Sequence, residues 1–269
     1  MNIQANTIFL SNYSCDSLIN KYHAFLKTQL VKSFLKKQNV TNSCRYNRVG
    51  KHIKIAHMTI DKLFDLLDDW RQLPAYQLER RADIFFALYL DKIFEKIHGT
   101  KVDLVIPEFP VRVGEIAEKL PELNKSFKID YLVFSNSAQK VFLVELKTDQ
   151  RSLRDKQDWY LESAAKLKIS GLINGLIKIY RATKQKNKYD RLLEKLETIK
   201  WINRVDNEIK NLNCKIEPEV IYIQPMNIEK SKNIISFDDI ITVLSEINDP
   251  IAERFTKSLD KWKIDTNLK

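Results

Sequence analysis

Residues 127–147 read Phe-Lys-Ile-Asp-Tyr-Leu-Val-Phe-Ser-Asn-Ser-Ala-Gln-Lys-Val-Phe-Leu-Val-Glu-Leu-Lys. Two short apolar runs, 127–134 and 141–147, flank the turn-rich segment 135–140. Runs rich in β-branched and aromatic residues, bounded by Ser and Asn, predict two strands of a hairpin. Side chains alternate along a strand. Glu145 and Lys147 therefore share one face, and Phe142, Val144 and Leu146 take the other. A hairpin that turns symmetrically about the Ser137–Ala138 bond pairs Phe134 with Val141, Leu132 with Leu143 and Asp130 with Glu145. Two carboxylates then lie across adjacent strands, with an ammonium one step along. Like charges directly opposed are destabilising. A divalent cation between them removes that conflict.

Oxygen ligands and retained waters suit Mg²⁺. Such a metal polarises a phosphoryl oxygen and helps to activate a water. Lys147 would position or deprotonate that water, or stabilise the negative charge that develops. A bare Glu-x-Lys is a weak signal, and Glu208-Ile209-Lys210 is a second copy. That copy reads as a solvated helix face with no matching Asp on a preceding strand. The plain reading of the first copy is a Glu–Lys pair on a strand edge; its strand context and its spacing to Asp130 set it apart.

Asp130, a hairpin, then Glu145-Leu146-Lys147 on an apolar strand resembles the core of the PD-(D/E)xK nuclease superfamily. The resemblance spans about residues 79–225, in the order helix, three strands, helix, strand. It implies an α/β fold with a restriction-endonuclease-like mixed sheet and helices added at both ends. It also implies a Mg²⁺-dependent nuclease (Mn²⁺ able to substitute) that hydrolyses phosphodiester bonds, DNA first, in host defence, repair or recombination. Asp130 and Glu145 would take the metal, Lys147 the catalytic lysine's place, and the Leu146 carbonyl a main-chain ligand's place. Ile129 stands where the family name has proline. The family often adds an acid from the preceding helix, and Glu79 is the best match. It heads a stripe of Ala82, Phe86, Tyr89, Ile93 and Ile97 at helical spacing. Its alternative is a partner for Arg80 or Arg81, or a charge complementing the helix N-terminus; Asp83 stands in reserve. Glu108, between Pro107 and Pro110, is a further candidate acid or a solvated turn residue. Gln157 matches a glutamine that some members carry after the third strand, and Tyr160 follows at three residues rather than four. Arg151, Arg154 and Lys156 at the start of that helix would grip phosphates.

Working outward, residues 78–97 read as a helix ended by Gly99, and 101–106 as a strand limited by Pro107 and Pro110. A long helix is predicted from about 153 to 180, with Ser152 as its cap. A second follows over 189–212 after the polar break at 184–188. A strand over 219–223 and helices over 237–247 and 251–262 complete the chain. Residues 1–60 stand apart: no acid lies between Asp16 and Asp61, while nine Lys and Arg, among them Lys36 and Lys37, occupy that stretch. Residues 16–37 show helical periodicity and 38–51 read as a loop, so 1–60 is expected to be a basic helical arm. Residues 61–269 are expected to form the nuclease domain, with a helical insertion at about 185–213 and C-terminal helices.

The whole chain of 269 residues carries a formal charge of +10, which favours an anionic partner, nucleic acid above all. Residues 166–210 are net +7, so what lies outside that segment and the arm is net acidic. The longest apolar run, 84–90, is far too short to span a bilayer, and residues 1–12 do not read as a signal peptide. The expected partners are DNA and a second copy of the chain in a homodimer, with no membrane. Cys15, Cys44 and Cys214 are too scattered for a disulfide framework or zinc knuckle, which suits the cytoplasm. The four His show no ligand spacing, and the five Gly build no phosphate loop, which argues against zinc enzymes and P-loop ATPases. Gly171 and Gly175 are expected at a close helix contact. The alternative function is a non-catalytic nucleic-acid-binding protein on the same fold, which would bind with strong salt dependence.

Overall fold

The computed structural model describes residues 47–117, 124–149, 155–206, 208–227 and 233–265. The expected helix over 16–37, with Lys36 and Lys37, lies outside these residues. By chain contacts the protein divides into two units, residues 1–53 and 54–269.

Helix α1 spans Asn47–Trp70, so residues 47–51 are helical rather than loop. Val49, Ile53, Ala56, Ile60, Leu63 and Leu67 recur at three- and four-residue steps, a period that the surrounding polar residues obscure. Helix α2 (Glu79–His98) ends as expected at Gly99. There φ is +60° and the Gly99 N–H bonds the Phe94 carbonyl, a left-handed cap that glycine adopts without steric cost.

Strand β1 runs Leu104–Arg112, well past the limit expected from its prolines. It forms one edge of a five-stranded sheet, the position in which strand prolines are tolerated. After the short helix α3 (Val113–Ile116) come β2 (Ser126–Ser135) and β3 (Lys140–Leu146). Their register pairs Phe134 with Val141 and Leu132 with Leu143, as symmetric turning requires. The expected long helix is two, α4 (Asp155–Lys166) and α5 (Lys168–Ala182). The break falls at Leu167, the N-cap of α5, and Lys168 beside it has φ +57°, a left-handed conformation that interrupts a continuous right-handed helix. Ser152 lies outside the described residues.

A 3₁₀ turn (Lys186–Lys188) leads into α6 (Asp190–Thr198). The helix expected as far as 212 stops there. Strands β4 (Ile202–Val205) and β5 (Glu208–Asn211) form a two-stranded ribbon instead. Ile202 and Ile209 are buried while Asn203, Glu208 and Lys210 are not, a two-residue alternation that outweighs local helix propensity. Glu208-Ile209-Lys210 is thus an outward strand edge, not a helix face. Strands β6 (Glu219–Gln224) and β7 (Ile234–Ser236) follow, the latter unforeseen because three residues carry no period. Helices α7 (Phe237–Ser245) and α8 (Pro250–Asp265) end the described chain.

The sheet order is β1-β2-β3-β6-β7, antiparallel through β3 and parallel beyond. The chain is therefore α/β, with a mixed five-stranded sheet and helices at both ends. Each face carries its own apolar core. Phe64, Phe86, Phe142, Val144, Phe237, Phe255 and Trp262 belong to the core made with α1, α2, α7 and α8. Leu132, Leu143, Leu161, Leu172, Leu176 and Trp201 belong to the one made with α4, α5, α6 and the ribbon. Coverage on both faces explains why β3 is an almost unbroken apolar run. Among the described residues no helix is long and apolar enough to cross a membrane.

Candidate active site

The β2–β3 ladder ends at Tyr131–Val144. Beyond it β2 leaves its neighbour, and the Asp130 carboxylate takes over the acceptor's role: the Leu146 N–H donates to Asp130 Oδ2 at 2.7 Å. The alternation of β2 also shifts here. Ile129 and Leu132 face the α4–α6 core, whereas Tyr131 faces the α2 core. On β1, Pro107 pairs with Tyr131 and Phe109 with Ile129, so Glu108 lies opposite Asp130. Glu108 has φ +53°, a left-handed conformation that costs a non-glycine residue roughly 1–2 kcal/mol. Such strain concentrates at functional sites.

Glu145 comes from β3 and faces the α4 side with Leu143. It is 1% exposed, and Lys147, just past the strand, is 4% exposed. The Lys147 ammonium bonds Glu145 Oε1 at 2.5 Å and stands 3.9 Å from Glu79 Oε1. Gln157, from the first turns of α4, donates its amide to the same Glu145 oxygen. Glu79 opens α2 and is half-buried. The structure thus brings together Glu79, Glu145, Lys147 and Gln157, with Asp130 beside them against Leu146.

Burial raises the Glu145 carboxyl, with the Asp130 charge adding to it, and pushes its pKa up to about 8 despite Lys147. Burial likewise raises Asp130, against the opposing pull of the Leu146 N–H and Lys147. For Lys147 burial works against the ammonium, but Glu145 and Glu79 outweigh it and the net shift is upward. Two carboxyls held above their ordinary range beside a secure cation form an electron-rich site that prefers a proton or a metal to bare ionisation.

Other anticipated residues take different places. Glu108 pairs with Lys128 on the exposed edge. Asp83, within α2, accepts the adjacent Ile84 N–H on Oδ1, and its carbonyl accepts the Tyr131 hydroxyl at 2.7 Å. Tyr160 stacks on Phe127 with ring centres 5.0 Å apart, so it is packed against the sheet. Arg151 and Arg154 lie outside the described residues, as does the Lys156 side chain.

Two contributors escape sequence reasoning. Tyr222 on β6 is the register partner of Glu145; burial, then Asp158, pushes its phenol well above its usual range. Arg80 lines both cavities that meet at Glu79. The cavity at Asp130 has a volume of about 310 Å³ and is walled by Glu79, Asp83, Glu108, Lys128, Leu146 and Gln157. Neither residue had a local signal: Tyr222 lies on an ordinary apolar strand, and Arg80 is one of two adjacent arginines. Among the described residues no three His, Cys, Asp or Glu side chains gather closely enough to hold a metal by themselves. No protein-family model matches the chain, and neither curated proteins nor solved structures offer a match.

Proposed function

We propose that this chain is a metal-dependent nuclease with a PD-(D/E)xK, restriction-endonuclease-like core, hydrolysing phosphodiester bonds in nucleic acid, DNA first. The observation that carries the reading is the convergence of Asp130, Glu145 and Lys147 where β2 leaves β3. The order of helix, three strands, helix and strand through β6 supports it.

The donor set suits Mg²⁺ or Mn²⁺. Asp130 and Glu145 are hard oxygen donors whose burial and mutual repulsion leave them short of positive charge. The Leu146 carbonyl, with Glu79 or Glu108, would complete the protein's share, and Mg²⁺ characteristically keeps waters and phosphate oxygens for the remainder. When bound, the cation supplies Lewis-acid polarisation of the phosphoryl oxygen and a more acidic water. The chain's own groups do the rest. Lys147, kept protonated by Glu145 and Glu79, faces the negative charge that grows on the phosphoryl oxygens and orients the attacking water. The Gln157 amide fixes the Glu145 rotamer, so the carboxylate does not have to reorganise. Glu79 holds Lys147 from the other side and keeps the ammonium at the site rather than in solvent.

The test is incubation of the purified protein with plasmid, linear and single-stranded DNA, with Mg²⁺ or with a chelator. Cleavage is expected with Mg²⁺ alone, and Asp130→Ala is expected to lose it while keeping the wild-type circular dichroism. Full activity in Asp130→Ala would sink the site assignment.

A further inference from the structure

Three cavities share walls in series. The outermost, about 420 Å³, lies between β1 and the Lys186–Lys188 turn with α6; it shares Pro107, Glu108 and Lys128 with the cavity at Asp130. That cavity in turn shares Glu79, Arg80 and Gln157 with a third, about 520 Å³, beside Lys147. Glu79, Glu108 and Asp130 therefore line the middle one of three adjoining cavities.

The outermost cavity has a distinct chemistry. Lys188, Arg191 and Lys195 line it: Lys188 closes the 3₁₀ turn, and Arg191 and Lys195, four residues apart, share one face of α6. All three are exposed. Arg191 pairs with Glu194, and Lys128 with Glu108. Lys188 and Lys195 have no carboxylate partner among the described residues. Apart from Ser126, the rest of the wall is apolar or aromatic: Ile106, Pro107, Pro110, Tyr189 and Leu192.

Cations interleaved with an aromatic ring and apolar surface match a strand whose bases are unpaired. Phosphates take the ammonium groups, and bases lie on the ring and prolines. A duplex keeps its bases stacked inside and would leave the apolar wall without a partner. We propose that this cavity is the seat of a single-stranded nucleic-acid segment, gripped by Lys188, Arg191 and Lys195 and led past Lys128 toward Asp130. The proposal rests on the nuclease reading for what happens at Asp130, but the grip itself needs no cleavage.

The test measures binding of a labelled 15-nucleotide single strand and of the matching duplex, in chelator, across a salt series. The proteins are the full chain, Lys188→Ala/Lys195→Ala, and Lys101→Ala/Lys215→Ala, which removes the same charge from exposed positions outside the cavity. The wild type is expected to prefer the single strand. The groove variant is expected to lose affinity on the order of tenfold at 0.1 M salt, with a log–log salt slope shallower by about 1.4. The control variant should match the wild type. Equal losses in both variants would reduce the effect to net charge and overturn the seat. No loss in the groove variant, or equal affinity for the duplex, would overturn it as well. Binding that follows this pattern without any Mg²⁺-dependent cleavage would keep the seat and remove the nuclease. Cleavage with unchanged groove-variant binding would do the reverse.

Discussion

At the residue scale the site is governed by one buried carboxyl. With its pKa pushed up to about 8 in the fold and near 4.3 when unfolded, Glu145 binds a proton more readily in the native state than in the unfolded one. Its contribution to stability is therefore complete at acid pH and is lost as pH rises through about 8. Denaturant unfolding in chelator should show stability falling between pH 5 and pH 9, with a flatter profile in Glu145→Gln. Mg²⁺ should restore part of the loss at pH 9 by binding only the folded chain, and Asp130→Asn should abolish that rescue. Lys147→Met should cost about 3 kcal/mol at pH 9, because a buried carboxylate is left without its cation. The loss should be smaller at pH 6, where Glu145 is protonated. Hairpin symmetry expected Asp130 opposite Glu145, but the ladder stops at Tyr131–Val144 and Asp130 accepts the Leu146 N–H instead; the face shared by Glu145 and Lys147 was legible from alternation. Their burial was not, since nothing local says that α2 and α4 close over the strand ends.

At the scale of elements, the instructive differences come from context. Pro107 and Pro110 mark a boundary in an interior strand, but β1 is an edge and continues through both. Trp201 to Leu212 has the composition of a polar helix, yet it folds as a ribbon because Trp201, Ile202 and Ile209 complete the α4–α6 core. Gly175 met its expectation in part: a Cβ there would stand 2.9 Å from Glu115 Cγ and 3.1 Å from Arg112 Cβ. That glycine lets α5 approach the end of β1, where Arg112 is buried and paired with Glu115 at 3.0 Å. At Gly171 the atoms nearest an added Cβ are those of Leu167, in the preceding turn. Gly175→Ala should therefore destabilise by about 1–3 kcal/mol through overpacking, read as a lowered urea midpoint.

On the scale of the whole molecule, a clasp joins distant parts of the chain. Arg254 on α8 reaches Asp65 at 2.6 Å and Asp68 at 3.2 Å, and Trp262 Nε1 donates to Asp68 at 2.9 Å. Arg254 itself is buried. Arg254→Met should cost about 3 kcal/mol, the low end for breaking a buried pair, because Asp65 stays solvated. Thermal unfolding reads the loss, and the charge-independent packing of Phe255 and Trp262 should keep the fold. The charge of +10 is distributed on the same scale: the +7 of residues 166–210 supplies the cations of the outer cavity, while the acids gather at the ends of β2 and β3. The sequence by itself determined the α/β class, the β2–β3 register as far as Tyr131–Val144 and the neighbourhood of Glu145 and Lys147, because alternation and turn symmetry act over a few residues. Only the tertiary structure decided that Asp130 turns to the Leu146 N–H, that Glu79 and Gln157 meet at Glu145 and Lys147 from opposite faces of the sheet, and that 202–211 is a ribbon. Those outcomes depend on which element covers which face, and contacts between residues far apart in the chain leave no local periodicity to read.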